Sequence, residues 1–158
     1  MKNIKFILLY IATPLLILCI IFLPIFSVSS SSFSNTIVIG YNILGRIKIN
    51  GEIILKGKFL SYIPLIMLIF IILIGKFSNG IKGNNIIFIL SSLMCVVYFS
   101  ILPLVSKTFV ASTFESEIQF TMIWGYYVLL AFSILLTIGF IVSMIIEKIN
   151  NKNIKIEE

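Results

Sequence analysis

Six carboxylates are the only acids in the chain: Glu52, Glu115, Glu117, Glu147, Glu157 and Glu158. It has no His and no Asp. Without them the Ser-His-Asp arrangement, imidazole acid–base catalysis and the common zinc sites cannot be assembled. The nearest approach to a catalytic grouping is Glu115 and Glu117, with Ser112, Thr113 and Ser116 close by in sequence. A hydroxyl becomes a nucleophile only with a base oriented by a third group, or with a metal. This stretch offers two carboxylates and nothing to orient them. The residues therefore point away from an enzyme and imply no cofactor and no metal.

The other available chemistry is recognition of anions. Arg46, the only arginine, lies with Lys48, Lys56 and Lys58 in the segment Thr36–Lys58, TIVIGYNILGRIKINGEIILKGK. Guanidinium and ammonium groups suit carboxylates and phosphates. Two uses are open for these four cations: contact with a partner, or attraction to anionic headgroups. The net charge of +6 fits positive flanks on membrane helices better than nucleic-acid binding.

The elements that must position this segment follow from composition. The chain has 158 residues, 59% of them hydrophobic and 11% charged. Soluble domains carry roughly 25% charged residues. A chain of this length has no interior able to hide so much apolar surface, so lipid must cover it. Four runs without charge are expected to span the bilayer as helices, at about residues 6–26, 59–75, 86–105 and 120–146. The first could instead be a signal peptide cut near Ser27-Val28-Ser29. Its length favours an uncleaved helix, kinked at Pro14 and ending near Pro24. Residues 27–35 read as a small-residue linker. Ser116 and Gln119 have the spacing of a capping box that would open the last helix. Residues 147–158 read as a short, charged, solvated tail. Cys19 and Cys95 fall inside apolar runs and read as buried thiols.

A charge within the hydrocarbon is normally kept for ion paths or proton relays, and these runs keep none. Small and hydroxyl residues are left to pack the helices: Ser91, Ser92 and Cys95 on the third, and Gly125, Ala131, Ser133, Thr137, Gly139 and Ser143 on the fourth. Gly125, Phe132 and Gly139 recur every seven residues and define one stripe. That stripe serves helix packing, or a groove for another protein's helix.

The centre of Thr36–Lys58 reads as a β-hairpin around Asn50-Gly51. A three-residue loop, Ile49-Asn50-Gly51, sets Lys48 against Glu52 and Ile47 against Ile53, and separates charged from aliphatic positions. Thr36–Tyr41 and Thr108–Ala111 are candidate further strands for it. With the N-terminus inside, the inner segments hold Lys2, Lys5, Lys76, Lys82, Lys148, Lys152 and Lys155, and the outer loops hold Arg46, Lys48, Lys56, Lys58 and Lys107. This modest excess places both termini in the cytoplasm and the hairpin outside. Tyr62, Trp124, Tyr126 and Tyr127 then fall where an outer aromatic belt would lie.

Four spans with a large β-rich first outer loop resemble the claudin-like layout. The first loop lacks the Gly-Leu-Trp and paired-cysteine motif of claudins, so no residue role carries over. Gly40-Tyr41-Asn42-Ile43-Leu44 and Gly125-Tyr126-Tyr127 resemble patches in small four-helix bacterial membrane proteins, and the bias toward Ile, Asn, Lys and Phe suits an AT-rich bacterium. The expectation is a single membrane domain, residues 1–158. Its fold class is an all-α, four-transmembrane-helix bundle with a small extracytoplasmic β-hairpin or sheet cap from loop 27–58. It would sit in the cytoplasmic membrane of a bacterium. Its partners would be the lipid bilayer and another membrane protein or itself, without nucleic acid. The expected role is a non-catalytic interaction or accessory subunit. An oligomeric pore or transporter subunit, with several copies lining a path with Ser and Thr, is the alternative.

Overall fold

The computed structural model of the chain describes residues 2–30, 33–39, 46–49, 52–56, 62–77, 85–105 and 119–154. It is mostly helical. In chain order the elements are α1 (Lys2–Ile7), a π-helical turn (Leu8–Ala12), α2 (Thr13–Phe22), β1 (Pro24–Ser30), β2 (Phe33–Ile39), β3 (Arg46–Ile49), β4 (Glu52–Lys56), α3 (Ile63–Phe77), α4 (Asn85–Val105), β5 (Gln119–Met122) and α5 (Trp124–Ile154). Among the described residues, three helical stretches are long and apolar enough to cross a membrane: Ile4–Phe22, Asn85–Leu104 and Trp124–Asn150. These mark a membrane protein. The second expected span is the shorter apolar helix α3, with 15 residues, or about 22 Å of rise. Residues 57–61, assigned in part to that span, lie outside the described residues.

From Lys2 to Phe22 the chain runs as one helical rod. Pro14 has no N–H to give, and its ring would press on the carbonyl one turn back. The strain is relieved upstream by the π turn rather than by a break at Pro14. The Thr13 amide donates to the Leu8 carbonyl, and Thr13 Oγ1 donates to the same oxygen at 2.8 Å. Pro14 itself begins the next α-helical turn, where a missing donor costs little.

The rod ends at Phe22, before the boundary expected near Phe26. Pro24–Phe26 and the described residues of the expected linker, 27–30 and 33–35, belong to a three-stranded antiparallel sheet of order β2-β1-β5. Phe26-Ser27-Val28-Ser29 alternates apolar with small polar residues, which is the period of a half-buried strand. Ile25, Phe26 and Val28 are buried. Strand β1 pairs with β2 from Pro24↔Ile39 to Ser30↔Phe33, with irregularities in register, and with β5 from Phe26↔Met122 to Ser29↔Gln119. Gln119 is thus the first residue of a strand and not part of a helix cap. The last helix opens at Trp124, four residues later than expected, because Phe120–Met122 are used to close the sheet. Its other end reaches Ile154, so the first part of the expected tail is helical.

The hairpin forms its own two-stranded sheet, separate from the other three strands. Its register corrects the three-residue loop. Ile49 pairs with Glu52 and Lys48 with Ile53, then the register shifts, and Ile47 pairs with Leu55 and Arg46 with Lys56. The extra residue therefore sits within β4 rather than at the turn. The closing pair leaves only positions 50–51 between the strands, the length that an Asn-Gly sequence favours most. Of the proposed extra strands, residues 36–39 of Thr36–Tyr41 lie in β2 of the other sheet, while residues 40–41 and Thr108–Ala111 lie outside the described residues.

One core joins these parts. Leu9, Leu16 and Ile20 of the first helix meet Leu68 and Ile71 of α3, Phe88, Cys95, Phe99 and Leu102 of α4, and Leu129, Leu136 and Phe140 of α5. The spacing of three and four on every helix is that of one buried stripe. Strand β1 adds to the same core, so cleavage near Ser27-Val28-Ser29 would cut through a packed strand. Ser91, Ser92, Ser133 and Thr137 are also buried. Ser92, Ser133 and Thr137 donate to carbonyls of their own helices, at 2.8–3.0 Å. They ease close packing without hydrogen-bonding across helices. Cys95 does reach across, its Sγ lying 3.7 Å from the Pro64 carbonyl of α3. Cys19 is only half-buried.

The Gly125–Gly139 stripe lies against the first helix and the start of β1. A Cβ on Gly125 would stand 1.9 Å from the Pro24 carbonyl oxygen, which is backbone and cannot yield. At Gly139 the neighbour is the Leu8 Cδ2 atom at 2.8 Å, the end of a flexible side chain. Phe132, between them, is partly buried against the core. Gly125→Ala is therefore expected to cost most of the folded protein recovered in mild detergent, and Gly139→Ala to lower the melting temperature only slightly. Equal tolerance at both positions, measured by fluorescence-detected size exclusion and thermal unfolding, would contradict this packing.

Candidate functional site

Two polar groupings stand out, one at each end of the bundle. At the end away from the three-stranded sheet, Lys5 of α1, Asn85 at the start of α4 and Glu147 of α5 form one network. Lys5 Nζ donates to Asn85 Oδ1, and Asn85 Nδ2 donates to Glu147 Oε2 at 2.8 Å. Lys5 Nζ lies 3.6 Å from Glu147 Oε2. Asn85 thus uses both halves of its amide to bridge a cation and an anion. The ammonium also sits 5.6 Å from the centre of the Phe88 ring, a cation–π distance. Phe88 in turn packs on Phe140 at 5.4 Å. The Lys5 side chain is 9% exposed and that of Glu147 27%.

The three residues are the polar groups directly abutting three apolar runs: Lys5 before Phe6, Asn85 before Ile86, and Glu147 after Ile146. Read separately they are a flank, a turn residue and the start of a tail. The signal that unites them is their position. The fold brings all three to one end of the bundle, where Lys5 and Glu147 carry opposite charges and the Asn85 amide lies between them. The clamp joins an ammonium and a carboxylate through one amide. Its chemistry is to tie the first, third and last long helical elements together.

At the other end, Trp124 and Tyr127 are exposed at 59% and 60%, and Tyr62 is exposed beside α3. These are interface positions for amphipathic rings. Tyr126, expected among them, is buried instead. It stands on the stripe of Leu129, Ser133, Leu136 and Phe140, at helical spacing. Of the partner-contact candidates, Arg46 and Lys48 lie on β3 and Lys56 on β4, with Arg46 and Lys56 as cross-strand partners. Lys58, Glu115 and Glu117 lie outside the described residues. The hairpin strands pair with each other in a sheet of their own, apart from the elements that carry the clamp.

No protein family model matches the chain, and no curated protein and no solved structure matches it.

Removing one member of a buried ion pair leaves an uncompensated charge, at a cost of about 3–5 kcal/mol when burial is complete. The partial exposure of Glu147 places the cost near the lower bound. Lys5→Met and Glu147→Met are each expected to destabilise the bundle strongly. The triple change Lys5→Met, Asn85→Leu and Glu147→Met, which removes every charge and amide at once, should recover most of the loss. Thermal unfolding in one detergent checks this. A triple variant as unstable as the sum of its parts would show that the residues are not coupled.

Proposed function

We propose that this chain is a non-catalytic, multi-pass protein of a bacterial cytoplasmic membrane. In this reading α3 is a fourth span, both termini are cytoplasmic, and the chain acts as an interaction or accessory subunit through its extracytoplasmic β-rich loop. The observation that carries it is the continuity between sheet and helices. Strand β1 begins two residues after the first helix ends, and β5 stops two residues before α5 begins. The Ile123 amide donates to the Ile25 carbonyl at 3.1 Å, so the junctions are themselves hydrogen-bonded. The β1–β2 part of the loop, paired to β5 at the start of α5, is thereby fixed at the end of the bundle, which suits a contact surface. The hydroxyls of Ser92, Ser133 and Thr137 bond to their own backbones, which favours the packing role over a pore lined by Ser and Thr.

The test is site-specific photo-crosslinking from the hairpin in native membranes, repeated with Arg46→Glu and Lys48→Glu together. A discrete adduct that the double charge reversal abolishes is the expected outcome. An adduct of unchanged yield would reject these residues as the contact.

A further inference from the structure

The two halves of the first helix are held by different means. In α2, Leu16 and Ile20 are buried in the core, and so is Leu9 in the π turn. Among the described side chains of α1 the pattern is reversed. Ile4, Phe6 and Ile7 are exposed, at 44–56%, and the buried one is Lys5. Little apolar surface is therefore hidden when α1 lies against the bundle. The polar contacts of Lys5 with Asn85 and Glu147 hold it there.

Between the halves lies a pivot. Helices bend at π turns and at prolines, and here the two are adjacent. The turn covers Leu8–Ala12, and Pro14 supplies no amide to the ladder that follows. The pivot itself is gripped from two sides, with Leu8 against Gly139 and Leu9 against Gly75. A six-residue lever on a fixed pivot, held by one polar network, has the parts of a two-position element.

The same network decides which position is taken. The attraction between the two charges is set against the cost of keeping both from water, so the pair holds only while both are present. Removing the charge of Glu147 strands the ammonium, and an outward swing of α1 returns it to water. That swing lifts the Lys5 ammonium from its place 5.6 Å from the centre of the Phe88 ring. Phe88 and Asn85, both buried with α1 in place, are then uncovered.

We propose that α1 is a hinged latch on the end of the bundle. The π turn is its hinge, Lys5 is the group that fastens it, and the charge of Glu147 keeps it shut. Opening exposes the surface around Asn85 and Phe88 at the start of α4.

The test measures distances between spin labels on the full chain in nanodiscs, with Cys19 and Cys95 replaced by Ala. One pair, Ile4→Cys with Val142→Cys, reports α1 against α5. A second, Leu18→Cys with Leu135→Cys, reports α2 against α5. All four positions are exposed. Glu147→Gln keeps the shape of the side chain and removes its charge. It should add a population in the first pair that is longer by roughly 5–10 Å, the travel of a six-residue lever about 9 Å long. The second pair should not change. Lys148→Gln, at the neighbouring exposed charge, should leave both pairs as they are. Should Glu147→Gln fail to elute as a single species, Lys5→Gln is read in the same way and should also open α1. A first-pair distance that keeps its wild-type value overturns the latch. An equal change in both pairs does so too, because the bundle would then loosen as a whole rather than bend at the π turn. Loss of the fold in both variants also overturns it, since a latch that opens must leave the bundle standing.

Discussion

The pairing of β1 with β5 is the constraint on which the rest of the molecule depends. Lipid covers apolar helices without telling one face from another, so hydrophobicity alone cannot decide how the first helix sits against the last. Backbone hydrogen bonds can. Strand β1 leaves the first helix, β5 enters the last, and their ladder from Phe26↔Met122 to Ser29↔Gln119 fixes the two helix ends side by side. Gly125 belongs to the same junction. The Pro24 carbonyl occupies the space of its missing side chain, which lets strand and helix approach at backbone contact.

The opposite end is fixed by electrostatics. Lys5, Asn85 and Glu147 gather three helices at the end of the bundle away from the three-stranded sheet. A buried pair of this kind is weak evidence for stability but discriminates strongly between alignments, because a shifted helix would leave a charge unpaired. Between the two fastenings, Leu8 and Leu9 of the π turn press against Gly139 and Gly75. The first helix is thus held at its top, middle and bottom by different kinds of contact.

Much of this was legible in the sequence. The membrane class followed from 59% apolar and 11% charged residues, and the span 86–105 was placed within one residue of Asn85–Val105. Ser91, Ser92, Cys95, Gly125 and Ser133 marked inward faces that uniformly apolar helices otherwise conceal. The strands were harder. Ser27-Val28-Ser29 looks like linker because its small residues carry little strand propensity, and only its alternation with Phe26 hints otherwise. β5 was absorbed into the last span because Phe120–Met122 is as apolar as the helix after it. Separating charged from aliphatic positions favours the three-residue loop, but the fit of Asn-Gly to a two-residue connection decides the hairpin register. The clamp was missed because its members are 80 and 62 residues apart and only the fold unites them.

The most direct measurement is disulfide trapping between β1 and β5 in native membranes. Ser27 and Thr121 are cross-strand partners, and antiparallel partners have Cα atoms about 4.5–5.5 Å apart, within the range a disulfide needs. In a chain with Cys19 and Cys95 replaced by Ala, Ser27→Cys with Thr121→Cys should oxidise to a monomeric, faster-migrating species under mild oxidant. Ser27→Cys with Trp124→Cys should not. Failure of the paired cysteines to crosslink, or equal crosslinking of both pairs, would contradict the account that strand pairing joins the first helix to the last.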